Sequence, residues 1–391
     1  MKRRLKILRI ISSIDPKFGG PSRGILESSK QLAKEGFKVD IVTCDKEKIK
    51  FTKLKDIKII NLGSYIGNTY RFSLKLYFWL VKYRDNYDYF IAHGIWQFTT
   101  LVARLVLKGK YLIFVHGQLD PFFKINFLKK IKKQIYWFFV EKRNLLNSTS
   151  ILLTSTGEKK SLNKTFVNTE GIKKNIVKYG IFKQKINREK ILKQFYSQFP
   201  LLKHNNFYLF LGRFHEKKGC DIVIKSVNKL KNKFSNKILF IGPMTDSRYE
   251  VYIRRLVKKY NLQKKILFSD ALYGDSKWGA ILASKGMVLA SHGENFGISL
   301  VESLSLGKPV LTTYKVNIAR DILKYNAGLI SKDTISKFSK ILIKFNKLNK
   351  KELMKISNNA LNCFKNNFDL SSTKNSLDKL LKKILKMQIN E

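Results

Sequence analysis

Glu294 and Glu302 bracket the segment Glu294-Asn-Phe-Gly297-Ile298-Ser299-Leu300-Val-Glu302, with seven residues between them. The pattern from 298 to 306 is helical, so Glu294 falls in a loop and Glu302 about two turns along the helix. Carboxylates so placed can accept hydrogen bonds from different hydroxyls of an extended ligand, such as a sugar and a ribose. The amides at Gly297–Leu300, at the start of that helix, could hold an anionic phosphate, because unpaired N–H groups and the helix dipole both favour negative charge there. Arg213 and Lys218 follow the apolar run 207–212. A cationic loop between a strand end and a helix start suits a diphosphate, the Arg offering a fork of donors and the Lys a point charge. His116-Gly117 ends a further apolar run, where a histidine could serve a site or simply be a satisfied strand-end residue. His93, at the end of the preceding run, is read as structural. Gly19-Gly20 lies between the first run and a helical pattern. The spacing is not the dinucleotide fingerprint, and a tight turn accounts for it as well as a phosphate loop does.

These residues need elements to position them. Apolar runs at 6–11, 39–44, 57–62, 89–93, 111–116 and 151–155 alternate with helical patterns such as 22–34 and 73–84. Each run is short, β-branched and apolar on both sides, as strands between two helix layers are. Such alternation predicts a parallel, doubly wound sheet. The stretch up to 206 then turns polar and Lys-rich, and alternation restarts at 207–212, 237–242, 264–269, 286–290 and 309–313. The expected organisation is an α/β domain at 1–185, a linker at 186–205, a second α/β domain at 206–368 and an amphipathic C-terminal helix within 369–391. Ligands bind outside the carboxyl ends of such sheets, so the cleft between the two domains is the expected site.

Composition narrows the partners. Lys+Arg number 77 against 28 Asp+Glu, a formal net charge of +49, yet 44% hydrophobic residues exclude a disordered chain. The cations are mostly Lys and spread over the whole chain, so the excess is chiefly a lysine-rich surface. Cys44, Cys220 and Cys363 are far apart and form no CxxC pair, which argues against a zinc site or a disulfide framework and for a reducing compartment. The basic, apolar opening 1–11 is interrupted by Arg9 and reads as a buried first strand rather than a leader peptide. No apolar run reaches the roughly 18 residues a membrane span requires.

The spacing from Glu294 to Glu302 resembles the E-x7-E motif of the family 4 glycosyltransferases, retaining enzymes of GT-B fold. Gly212-Arg213 with Lys218-Gly219 resembles that family's GR…KG phosphate motif, Gly19-Gly20-Pro21 its N-terminal glycine loop, and His116-Gly117 its acceptor-side histidine. The four matches run in order over about residues 5–325. The resemblance implies two Rossmann-like domains facing a deep cleft, with the C-terminal helix crossing back to the N-terminal, acceptor-side domain. It implies that Arg213, Lys218 and the amides of Gly20, Gly297, Ile298, Ser299 and Leu300 bind the donor diphosphate. It further implies that Glu294 binds donor-sugar hydroxyls, Glu302 the ribose, and that His116 lies near the transferred sugar. No Asp-x-Asp pair occurs, and the family usually needs no metal, so neither a metal nor another cofactor is expected. Lys178-Tyr179-Gly180 stands where many members have Pro-Asn-Gly, and Ala290-Ser291 where they have Pro-Ser.

The helical pattern at 127–139 gathers Leu128, Ile131, Ile135, Phe138 and Phe139 on one side and Lys129, Lys130, Lys132 and Lys133 on the other. A basic helix of this kind can lie on an anionic membrane, or can be an ordinary domain helix with its apolar side inward. The expected function is therefore transfer of a hexose-type sugar from a nucleotide-diphosphate sugar to a lipid-linked glycan in cell-surface polysaccharide or lipopolysaccharide synthesis. The expected place is the cytoplasm, peripheral on the inner face of the membrane. The competing readings are a nucleotide-sugar epimerase or phosphorylase-like enzyme of the same fold, and a basic nucleic-acid-binding protein. The last has only charge in its favour, since no recognition helix, zinc finger or aromatic RNA-binding strand is apparent and no specific nucleic acid is expected.

Overall fold

The computed structural model describes residues 3–15, 20–46, 57–63, 65–66, 70–119, 127–165, 169–177, 179–244, 247–371 and 377–389. The chain divides into two compact units, one of residues 1–179 with 374–391 and the other of residues 180–373.

The first unit is a seven-stranded sheet of β1 (Lys6–Ile11), β2 (Lys38–Thr43), β3 (Ile57–Asn61), β4 (Tyr89–His93), β5 (Tyr111–Phe114), β6 (Ser150–Leu153) and β7 (Lys174–Ile176). Their order is β3-β2-β1-β4-β5-β6-β7, and every pair is parallel. The direction of growth reverses between β1 and β4, which makes their carboxyl ends the topological switch point. Alternation splits the side chains of the central strands between two faces. Leu8, Ile10, Phe90, Ala92 and Ile113 join one core cluster. Ile7, Arg9, Ile11, Ile91 and His93 therefore lie on the opposite face, together with the helix Gly20–Lys34, to which Arg9 is hydrogen-bonded. That helix also receives the C-terminal helix Leu377–Ile389, whose Leu377, Leu381 and Leu385 are buried. The C-terminal helix thus belongs to the N-terminal unit.

The second unit holds β8 (Phe207–Leu211), β9 (Lys237–Ile241), β10 (Ile266–Ser269), β11 (Gly286–Leu289), β12 (Val310–Thr313) and β13 (Gly328–Ser331) in the parallel order β10-β9-β8-β11-β12-β13. Its switch point lies between β8 and β11. The eleven apolar runs read from the sequence all become strands. β7 and β13 were missed, being short and only partly buried.

One expectation differs from the structure. Residues 186–205 are no linker: Arg188–Gln198 is a helix capped by the Asn187 side chain on the Lys190 amide. Ile191 and Phe195 are buried, and Gly279 of the helix Gly274–Ala283 lets the two backbones approach closely. Ile191, Leu192, Phe195 and Tyr196 recur at helical spacing behind the Asn187 cap, a signal that the Lys-rich, polar composition of the stretch outweighed. The chain passes from one unit to the other at Tyr179–Gly180 instead, where Ile181 forms a parallel bridge with Asp369.

Candidate active site

In the second unit the two charged motifs come from the neighbouring strands β8 and β11. After β8, a short turn at Glu216–Lys218 is followed by Gly219, whose φ of +64° opens the helix Cys220–Leu230. A Cβ there would lie 2.0 Å from the Ala290 carbonyl oxygen, so only glycine lets the loop press on the end of β11. The Ser291 hydroxyl and the His292 amide both donate to the Lys217 carbonyl, at 2.7 and 2.8 Å. The loop is held so that Lys218 Nζ donates to Glu294 Oε2. Burial alone would push the Glu294 carboxyl up, but the Lys218 ammonium and the Gly297 amide outweigh it and hold the group below the usual carboxylate range. The Glu294 main chain is pinned too, through bonds to the Lys315 carbonyl and the Asn317 amide.

The helix Ile298–Ser305 starts beside this pair, after Gly297 in left-handed conformation. Of the four amides expected to face phosphate, two are taken up within the protein. Gly297 N–H serves the Glu294 carboxylate and Leu300 N–H donates to the Gly297 carbonyl at 2.9 Å. The reason is local, since the turn that aims the helix start closes on its own first residues. Ile298 and Ser299 hold the two amides without a protein partner among the described residues. Arg213 is exposed and forms no ion pair with any described residue. Glu302 lies on the same helix, buried, with Lys277 Nζ at 2.7 Å from Oε1. Lys277 sits over the Trp278 ring on the helix Gly274–Ala283 and matches no motif, so sequence reading passed it over.

In the first unit, Gly20 is the first residue of its helix, and Gly19 lies outside the described residues. His116, just past β5, is partly buried and holds a strained φ of +53°. The carboxylate of buried Glu158 fastens the turn, accepting from the Gly117 amide at 2.6 Å and the Thr154 amide at 2.7 Å. His116 Nε2 lies 3.0 Å from His93 Nδ1, and His93 Nε2 lies 3.1 Å from Arg9 Nε. Arg9 is fully buried, its Nη1 donating to the Ile25 carbonyl and to the hydroxyls of Ser28 and Ser29 at 2.7–3.0 Å. Burial lowers its guanidinium to about 9, so it stays charged at neutral pH. Burial first, and the Arg9 charge second, lower His116 to about 3 and carry His93 well below the usual imidazole value. His93, read as structural, thus stands between Arg9 and His116. The signal for Arg9 was a cation inside an otherwise apolar strand.

The basic helix runs over Phe127–Tyr136 and widens into a π-type turn at Trp137–Glu141, so a uniform 100° wheel does not extend through Phe138 and Phe139. Lys133 lies over the Trp96 ring. The side chains of Lys129 and Lys130 are outside the described residues. Among the described residues no helix is long and apolar enough to cross a membrane.

Comparison with known proteins agrees with this geometry. Residues 18–187 match the Glycosyltransferase Family 4 model and residues 192–362 the model for glycosyl transferases group 1. An uncharacterized glycosyltransferase of Methanocaldococcus jannaschii is 25% identical over 226 residues, which are 57% of this chain and about half, 52%, of that protein's length. The O-antigen chain mannosyltransferase C of Escherichia coli is 22% identical over 316 residues, 79% of each chain. Among solved structures, the Anabaena protein HepE in complex with UDP-glucose superposes with a TM-score of 0.76 at 14% identity, covering 98% of this chain and 100% of that one. WaaG, a glycosyltransferase involved in lipopolysaccharide biosynthesis, gives 0.68 at 16% identity over 98% and 99%. With two parallel Rossmann-like units and both halves matched, the chain belongs to the group 1 glycosyltransferases of GT-B fold.

Proposed function

We propose that the chain transfers a hexose-type sugar, with retention at the anomeric carbon, from a nucleotide-diphosphate sugar to a lipid-linked glycan in cell-surface polysaccharide or lipopolysaccharide synthesis. The observation that carries this reading is the Lys218–Glu294 contact at the β8/β11 switch point, beside the open Arg213 and the amides of Ile298 and Ser299. Departure of a nucleoside diphosphate develops negative charge on its oxygens, and cations and amides already in place stabilise that charge without reorganising. Lys218 and Arg213 take the diphosphate with those two amides. Glu294 accepts from donor-sugar hydroxyls, Glu302 from the ribose, and His116 meets the transferred sugar. A UDP-glucose complex of HepE, the O-antigen chain mannosyltransferase and the lipopolysaccharide role of WaaG support the substrate class.

The acceptor side draws support from the helix Phe127–Tyr136. Leu128, Ile131, Ile135, Phe138 and Phe139 are 42–75% exposed, so the apolar side expected to face inward in an ordinary domain helix faces out. An exposed apolar strip with Lys132 beside it suits peripheral contact with an anionic membrane, as a cytoplasmic enzyme acting on a lipid-linked acceptor requires.

A melting-temperature and hydrolysis screen of UDP-, GDP- and ADP-sugars tests the donor. One donor class should raise the melting temperature and be hydrolysed slowly, and no response to any of them would refute the reading. Co-sedimentation with vesicles tests the surface: pelleting should require anionic lipid, and equal, negligible pelleting with and without it would remove the membrane contact.

A further inference from the structure

The three strand ends of the first unit carry more than one histidine near a sugar. Arg9, His93 and His116 come from β1, from β4 and from just past β5, which are neighbours in the sheet though far apart in the chain. The register sets Ile11 opposite His93 and His93 opposite Phe114. The ring of His93 stacks on Phe114 with centroids 5.2 Å apart. The bonds between these side chains have only one consistent set of proton positions. A guanidinium nitrogen donates and never accepts, so Arg9 Nε–H requires His93 Nε2 to be bare. A neutral imidazole then carries its proton on Nδ1, which donates to His116, and His116 Nε2 must in turn be bare. The remaining proton of His116 is on Nδ1. An imidazolium at either position would set N–H against N–H and place a second cation beside the buried Arg9.

We propose that Arg9 and His93 are positioning residues that lock His116 into its neutral Nδ1–H tautomer, so that His116 meets a substrate oxygen as a hydrogen-bond donor and not as a base. The role at the substrate rests on the sugar-transfer reading above, while the tautomer itself does not. The arrangement uses a buried charge that forms no ion pair with a carboxylate among the described residues. Its Nη1 is held by neutral oxygens from the helix Gly20–Lys34, and its Nε fixes the direction of a two-step relay. A histidine alone would divide between two tautomers and an imidazolium near neutral pH, whereas this one presents a single form. The donor suits an anomeric sugar's hydroxyl or ring oxygen, each of which can accept. The hydroxyl that attacks must instead lose its proton to another group, such as an oxygen of the departing diphosphate.

The test begins on the unmodified full chain, labelled with ring-15N histidine, by long-range 1H–15N correlation at pH 7. The chain has five histidines, and His93→Phe and His116→Gln assign the two of interest. The proton of His116 should lie on Nδ1, with Nε2 unprotonated. A proton on Nε2, or on both nitrogens, would overturn the proposal without any substrate being present. In His93→Phe a ring still stacks on Phe114 but the relay is gone. His116 should lose its single tautomer, and transfer kcat should fall roughly 10- to 100-fold, by analogy with the loss of a partner that orients a metal-ligating histidine. The donor dissociation constant should not move. His93→Gln, whose amide can accept from Arg9 and donate to His116, should recover most of kcat. Wild-type kcat in folded His93→Phe, or His93→Gln as slow as His93→Phe, would sink the positioning role. Failure of the wild-type chain to turn over any donor would sink the transfer reading while leaving the tautomer assignment standing.

Discussion

The two units share a topology and treat charge at their strand ends in opposite ways. In the second unit the cations stay within reach of a ligand. Arg213 is exposed, and Lys218 is only partly buried against Glu294, which also keeps the ammonium oriented. In the first unit the cation is buried beneath the site. Arg9 touches neutral oxygens and His93, and the group nearest the surface is a neutral imidazole. A fixed anion such as a diphosphate rewards accessible charge, because charge-assisted bonds are strong and the anion arrives with its own charge to match. Sugar hydroxyls reward aimed neutral donors, and a bare cation there would draw water or the wrong ligand. On the proposed reading, one fold serves both tasks by changing how far the charge lies from the strand end.

The sharpest way to break that comparison is to remove the accessible charge. Lys218→Ala and Glu294→Ala should each lower transfer kcat by about 10²–10³-fold, near 3–4 kcal/mol, the cost usual for a preorganised electrostatic group. Near-wild-type turnover in both would refute the site. A pH series adds direction. In the native chain Glu294 stays ionised below the usual range, so its stabilisation is present above the unfolded value and is lost as the pH falls through the lower folded one. Without the ammonium, only the Lys217 charge and the Gly297 amide oppose burial, and the folded value rises. The melting-temperature gap between wild type and Lys218→Ala should therefore widen as the pH rises through the usual carboxylate range. A constant gap would mean the two groups are not coupled.

Next in size is a change that weakens only the first unit. Leu381 is fully buried where the C-terminal helix packs on the N-terminal unit. Leu381→Ala should cost about 2–4 kcal/mol in denaturant unfolding, as core truncations do. Donor binding to the second unit should stay intact by calorimetry. Arg213→Ala makes the converse test. It should weaken donor binding about tenfold or more, in keeping with the roughly 1.5–3 kcal/mol of a bond to a charged group, and leave the melting temperature unchanged because the side chain is exposed. The smallest effect belongs to the basic helix. Lys132→Gln should reduce binding to anionic vesicles by about 1 kcal/mol, near fivefold, and unchanged partitioning would remove that side chain from the membrane face.

The residues of the proposed diphosphate end could be picked out in the sequence because they are local. Gly212-Arg213 to Gly219 is one loop, Glu294 to Glu302 one turn and helix, and each sits just after an apolar run that marks its strand. Local geometry still changed details, since the turn at Gly297 consumes its own amide and that of Leu300. Lys277 was hidden because an ion pair between two helices leaves no spacing signal. The linker was misplaced because the polar, Lys-rich composition of 186–205 was weighed above the helical spacing of Ile191, Leu192, Phe195 and Tyr196, of which Ile191 and Phe195 are buried where Arg188–Gln198 packs on Gly274–Ala283.

The sequence by itself determined the strand–helix alternation, hence the parallel sheets, and with them which polar residues stand at strand ends. Hydrophobic burial on both faces of a strand writes that pattern directly into residue order. It determined as well that the +49 charge is mostly surface lysine, with few cations assigned to a ligand. Tertiary structure alone decided that Arg9, His93 and His116 form one relay, because the strand order β1-β4-β5 brings together residues more than a hundred positions apart. It alone decided that the apolar side of Phe127–Tyr136 faces outward, since periodicity reports that a helix has an apolar side but not what lies against it.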